Sequence, residues 1–249
     1  MLEIPTVFYS EGHQLVGIRH YPEHPTERAV VMCHGYTANK GENKRLFVEM
    51  AREFARNNTM AFRFDFFGSG DSEGEFRETR VSHNIQNLKD GLSAVRRMGF
   101  KKIIVLGISM GAATAILTLI NESVDGLILW STLPDFRKLF EQHTNDQLEG
   151  TLKKVNVFEY EGWLVERGFV LEALSFDIQK SFAKLTLPKL IVQGDQDEPL
   201  FREGFEAFKK IAVGPTTFVK IPGARHTYDT VKHRKQVITE TINWLRQTF

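Results

Sequence analysis

The feature that most restricts the fold is a rhythm. Short, almost wholly apolar runs alternate with longer segments whose apolar residues return at helical spacing. Residues 29–33 (AVVMC), 60–64, 103–106, 126–130, 189–192 and 216–221 read as strands, several of them covered on both faces. Between them, residues 43–56 place Leu46, Phe47, Met50, Ala51 and Phe54 on one helical face, and residues 81–98 do the same with Ile85, Leu88, Leu92 and Val95. Residues 110–120, 201–211 and 231–246 read as further helices. Strands alternating with helices predict an α/β fold: a mostly parallel central sheet with helices on both faces. TVFYS and QLVGIRHY, joined by EGH, add an N-terminal hairpin. From Ser131 to about Leu185 the rhythm fails, and charges mix with Phe136, Phe140, Phe158, Tyr160, Trp163, Phe169 and Phe176. This stretch reads as a cap inserted at the C-terminal edge of the sheet, where open α/β folds bind ligands. The expected organisation is a core of residues 1–130 and 186–249 with a cap of residues 131–185.

Composition narrows the function classes. Lysine and arginine number 32 against 31 acidic residues, so charge gives no reason to expect nucleic acid or an anionic membrane as partner. The single cysteine, Cys33, cannot form an internal disulfide. No apolar run approaches the roughly 20 residues that span a bilayer. The opening MLEIPTVFYS lacks the basic start and apolar stretch of a signal peptide. A soluble, cytoplasmic protein without integral membrane association is expected.

Chemistry concentrates at Gly107-Ile108-Ser109-Met110-Gly111. A strand runs into this segment and an alanine-rich helix leaves it at once. So sharp a turn strains its middle residue, and the flanking glycines remove side chains that would collide. The Ser109 hydroxyl is then held at a helix N-terminus, where developing negative charge is favoured. A serine needs a base. Among eight histidines, only His226 lies in a turn (PGARH) after a strand and before the last helix, on the same sheet edge as Ser109. His13, His20, His24, His83, His143 and His233 read as solvated residues. The base in turn needs a carboxylate, and KLIVQGDQDEP offers Asp195, Asp197 and Glu198, among which spacing does not choose. His34-Gly35-Tyr36-Thr37 follows an early strand, and Gly35 allows close approach of a substrate. The backbone N–H groups of Tyr36 and Met110 are then candidate donors to an oxyanion.

With these segments in view, the chain resembles the α/β-hydrolase superfamily, most closely small serine carboxylesterases that include feruloyl (cinnamoyl) esterases and monoacylglycerol lipases. The resemblance rests on VVMCHGYTANKGEN, FRFDFFGSGDSEGEF, IIVLGISMGAATA, LIVQGDQDEP and IPGARHTY, which span the chain apart from the cap. It implies Ser109 as nucleophile, His226 as base, Asp197 rather than Asp195 as acid, and Tyr36 and Met110 as oxyanion donors. Gln193 stands where many relatives carry histidine, a departure expected to matter little because it lies outside the triad.

The implied activity is hydrolysis of a small-molecule carboxylic ester through an acyl-enzyme, with no cofactor and no metal. Monoacylglycerol lipase, thioesterase, acyltransferase, amidase and carbon–carbon bond hydrolase use the same triad and stay open, as does a non-catalytic binding protein of this fold. GSGDSEG lacks the lysine and spacing of a phosphate loop, and no HExxH or cysteine pair suggests a metal. Cys33 ends a buried strand and is expected to be inert. Trp130 and Trp163 are the candidate lining of an apolar pocket. The charged cap is a candidate lid or homodimer surface.

Overall fold

The computed structural model describes residues 1–144 and 148–249; the side chain of His143, one of the competing histidines, lies outside the description. A hairpin opens the chain: β1 (Leu2–Ser10) pairs antiparallel with β2 (His13–Tyr21) around Glu11-Gly12. There follow β3 (Arg28–Cys33), α1 (Leu46–Arg56), β4 (Met60–Phe64), α2 (Val81–Arg97), β5 (Lys102–Ile108), α3 (Met110–Thr118) and β6 (Gly126–Trp130). Further along the chain come β9 (Lys189–Gly194), α8 (Pro199–Ile211), β10 (Thr216–Ile221) and α9 (Val231–Thr248). These strands form one eight-stranded sheet in the order β1-β2-β4-β3-β5-β6-β9-β10. Only β1–β2 and β2–β4 pair antiparallel; every other neighbouring pair is parallel.

The all-apolar strands are explained by the two layers that cover them. Strand side chains alternate between faces. Val30 and Met32 of β3, Ile104 and Leu106 of β5 and Ile128 of β6 pack with α1 and α9. Their neighbours Ala29, Val31, Ile103, Val105, Leu127 and Leu129 pack with α2, α3 and α8 on the other face. Polar residues would be buried on either side, so the period-2 signal of a half-exposed strand is absent.

The segment between β6 and β9 carries α4 (Phe136–His143), α5 (Leu148–Lys154), a two-stranded sheet of β7 (Val157–Tyr160) and β8 (Trp163–Glu166), α6 (Arg167–Ala173) and α7 (Ile178–Phe182). Arg80 ties it to the core by an ion pair with Glu166 at 2.7 Å. At its far end α7 packs against α3 and α8, with Phe182 edge-on to Phe208 at 4.8 Å. Among the described residues, no helix is long and apolar enough to cross a membrane.

Candidate active site

Ser109 sits between β5 and α3 at φ 53°, ψ −118°, a conformation that an L residue enters only when its surroundings hold it there. Its N–H donates to Trp130 O at 2.9 Å, and its carbonyl accepts from Ala112 and Ala113 N–H at the start of α3. The flanking glycines are required by contact. A β-carbon on Gly111 would stand 2.2 Å from Cys33 O, and one on Gly107 would stand 2.5 Å from Gly111 O. The helix is thus pressed against the end of β3, and the serine is lifted above the sheet edge.

His226 follows β10 on the same edge. Its Nδ1 lies 2.9 Å from Asp197 Oδ2 and 3.1 Å from Oδ1, and its ring packs on Phe201 with centroids 4.2 Å apart. The Asp197 side chain is fully buried, whereas that of His226 is 29% exposed. Asp197 also accepts from Glu198 N–H at 2.7 Å and from Gln193 Nε2 at 2.6 Å. Gln193, expected to matter little, thus has its amide bonded directly to the carboxylate facing the histidine. Asp195, two residues away, instead accepts from Gly223 N–H at 2.7 Å and secures the turn ahead of His226.

Further residues hold this arrangement and carried no periodic signal. Ser131, buried with φ 42°, donates from Oγ to His226 O at 2.7 Å. Tyr228, also buried, donates its phenol to Val192 O at 3.0 Å. Glu42 reaches Gly35 N–H at 2.5 Å. Ser131 and Tyr228 reach backbone carbonyls 95 and 36 residues away, a long-range relation that spacing along the chain does not encode, whereas Glu42 closes its own loop over seven residues.

Gly35, Tyr36, Glu42, Asn43, Ser109 and His226 line one cleft of about 320 Å³. The Tyr36 ring lies in an aromatic cluster, stacked on Phe169 at 5.3 Å and flanked by Phe76 at 5.0 Å and Tyr160 at 5.5 Å. Trp163 packs on Phe76 at 4.6 Å and is 39% exposed, one ring removed from Tyr36 and not on the cleft wall. Trp130 is a correction. Its position in β6 turns it to the α1/α9 face, where it is 0% exposed beside Phe47 and Tyr228 and donates its indole N–H to Thr241 Oγ1 at 3.1 Å. It supports the site from below and lines no pocket. A larger groove of about 670 Å³, beside α8 and β10, is lined by Arg202, Glu206, Lys210 and Lys220 and includes neither Ser109 nor His226.

Cys33 is buried, and burial pushes its thiol well above the ordinary range, so it stays protonated and unreactive. His20, His34 and His233 are buried, which corrects the reading of His20 and His233 as solvated. His34 Nε2 accepts from Phe66 N–H at 3.1 Å, and His20 Nε2 accepts from Arg63 Nε at 2.9 Å. The GSGDSEG turn closes on protein groups: Asp71 N–H and the Lys40 ammonium both bond buried Asp65. Among the described residues, no group of three His, Cys, Asp or Glu side chains is placed to hold a metal ion.

The family described as serine aminopeptidase, S33, matches residues 24–157, just over half of the chain. The chain belongs to this family. It is therefore a hydrolase of the α/β-hydrolase superfamily, and solved structures agree on the fold. Est1E from Butyrivibrio proteoclasticus, solved with ferulic acid bound, is 20% identical over 98% of both chains with a TM-score of 0.82. The esterase domain of a Rhodothermus marinus protein is 16% identical over 99% of both, at 0.77. Alpha/beta hydrolase domain-containing protein 10 from mouse is 18% identical over 98% of this chain and 99% of that one, at 0.79. No curated protein sequence matches.

Proposed function

We propose that the protein is a serine carboxylesterase acting on small to medium acyl or aryl esters. The observation that carries the reading is the strained Ser109 sharing one cleft with His226, whose far nitrogen lies 2.9 Å from buried Asp197. Ser109 Oγ attacks the ester carbonyl while His226 Nε2 takes its proton. Asp197 fixes the Nδ1–H tautomer and stabilises the imidazolium. The tetrahedral oxyanion is held by the Tyr36 and Met110 N–H groups, neither of which has a hydrogen-bond acceptor among the described residues. His226 then protonates the departing alcohol, and a water activated by the same histidine releases the acid. Each oxyanion donor of this kind is worth about 10²–10³ in rate.

The test is hydrolysis of p-nitrophenyl esters from acetate to palmitate by the wild type and by Ser109→Ala. Serine-dependent turnover with an optimum at short to medium chains is expected. An optimum at long chains would move the reading to a monoacylglycerol lipase. Absence of turnover from a folded enzyme would send the search to thioesters, amides or carbon–carbon bonds.

A further inference from the structure

Glu42 is the one ionisable residue of the cleft wall to which the reaction above gives no task. It stands at φ 57°, ψ 173°, a region populated essentially by glycine, and persists there only because its surroundings hold it. The outcome of that strain is an inward carboxyl. Oε1 accepts from Gly35 N–H at 2.5 Å, and Oε2 accepts from Asn43 N–H at 3.2 Å. A β-carbon on Gly35 would lie 3.4 Å from Glu42 Oε1 and 3.5 Å from Ser109 Cβ, so the carboxyl and the nucleophile flank the same glycine.

Both peptide planes around Gly35 are held, the first by Glu42 and the second by groups that meet the Gly35 carbonyl. Glu42 holds its N–H, while its carbonyl accepts from Ala38 N–H at 3.3 Å and lies 2.8 Å from His34 Nδ1. In a trans peptide the N–H points opposite to the C=O, so fixing the Gly35 carbonyl also aims the Tyr36 N–H. The residues after Glu42 reach the other half of the site. Asn43 Nδ2 donates to Thr227 Oγ1 at 2.8 Å, and Lys44 Nζ donates to Asp229 O at 2.9 Å. One strained corner therefore joins the Tyr36 loop to the loop that carries His226.

We propose that Glu42 is a positioning residue that aims the Tyr36 N–H at the oxyanion through its hydrogen bond to Gly35. The proposal rests on the serine-hydrolase reading of the cleft. The hydrogen bond is what the task requires, and a glutamine at this position retains the accepting oxygen. Burial, which raises the Glu42 pKa, fits a role that does not depend on a full charge.

The test uses two reactions at Ser109: hydrolysis of p-nitrophenyl butyrate, and modification by a fluorophosphonate. In the second, Ser109 Oγ bonds phosphorus, fluoride leaves, His226 takes the proton, and the phosphonyl oxygen occupies the oxyanion donors. Glu42→Gly is the informative deletion, because glycine accepts the strained backbone at no cost and only the carboxyl is lost. It is expected to lower kcat and the maximal phosphonylation rate about 10- to 100-fold, with KM within about threefold of wild type. Glu42→Gln is expected to recover both rates to within about fivefold of wild type. Wild-type rates in Glu42→Gly, a loss confined to KM, or a glutamine variant as slow as the glycine variant would overturn the proposal. A wild-type Ser109 that does not react with the probe sinks this proposal together with the serine-hydrolase reading. A wild type that reacts but cleaves no ester removes only the ester assignment, and the phosphonylation rates still decide on Glu42.

Discussion

Asp195 and Asp197 stand two residues apart at one strand end and do different work. Asp197 is buried against His226 and receives Gln193 Nε2, whereas Asp195 receives the Gly223 N–H. Asp197→Asn therefore presents the wrong tautomer partner to His226 and is expected to lower kcat by about 10⁴. Asp195→Asn weakens one hydrogen bond in a turn and is expected to cost less than about tenfold. Steady-state kinetics on both variants, with circular dichroism to verify folding, checks the pair; equal losses would contradict the separation of roles. At this scale the sequence was legible for Ser109 and His226, because each sits where a strand gives way to a turn. Gln193 and Glu42 were not legible, since their bonds to Asp197 and to the Gly35 N–H arise from local turns of the chain that no periodicity marks. Trp130 was misread for a related reason. Every residue of β6 after Gly126 is apolar, so no polar neighbour reveals which face the indole takes.

The junction of β5 and α3 is the element on which the site depends. Gly111 lets the helix approach the end of β3, and an added methyl group would meet the Cys33 and His34 carbonyl oxygens at 2.2 and 2.3 Å. Backbone oxygens cannot rotate away as a side chain can. Gly111→Ala is expected to destabilise the fold by at least about 1–3 kcal/mol. The midpoint of urea unfolding should then fall with its slope unchanged. An unchanged midpoint would mean that the helix has room to move, and that Ser109 is not held by this contact. The elements themselves were read well wherever they are long and periodic, as in α2 and α9. Between β6 and β9, four-residue strands such as β7 and β8 are too short to show a period. There the sequence revealed only that the rhythm had stopped.

Across the whole molecule, buried charge links the sheet to the site. Arg63 of β4 donates from Nε to His20 and from Nη1 to Lys40 O, in the loop that leads to Glu42. Burial, reinforced by the Arg63 charge, lowers the pKa of His20 from 6.5 to about 4. At neutral pH its 3.5 Å approach to Glu3 is therefore not an ion pair. Between about pH 4 and 6.5 the unfolded chain holds a proton on His20 that the folded chain does not. Stability from this group accordingly rises with pH across that window and is lost on acidification through it. Each unit of depression corresponds to about 1.4 kcal/mol, so the change is on the order of a few kcal/mol. Urea unfolding between pH 4 and 7 should show this slope, and His20→Gln, which still offers Arg63 an acceptor, should flatten it. A slope unaltered in the variant would assign the acid sensitivity elsewhere. The mostly parallel sheet and its two helical layers were legible as a class from the strand–helix rhythm, since connections between parallel strands have few alternatives. The contacts that lock loop to loop across the sheet edge were not.

If Ser109 is the nucleophile it carries the acyl group between the two half-reactions, and that group can be trapped. The enzyme is mixed with a p-nitrophenyl ester, quenched in acid within the first turnovers, digested, and examined by mass spectrometry. The peptide containing Ser109 should gain the mass of the acyl group, and both the gain and the turnover should vanish in Ser109→Ala. Ester turnover that persists in Ser109→Ala, or an acyl group found on another residue, would contradict that role of Ser109.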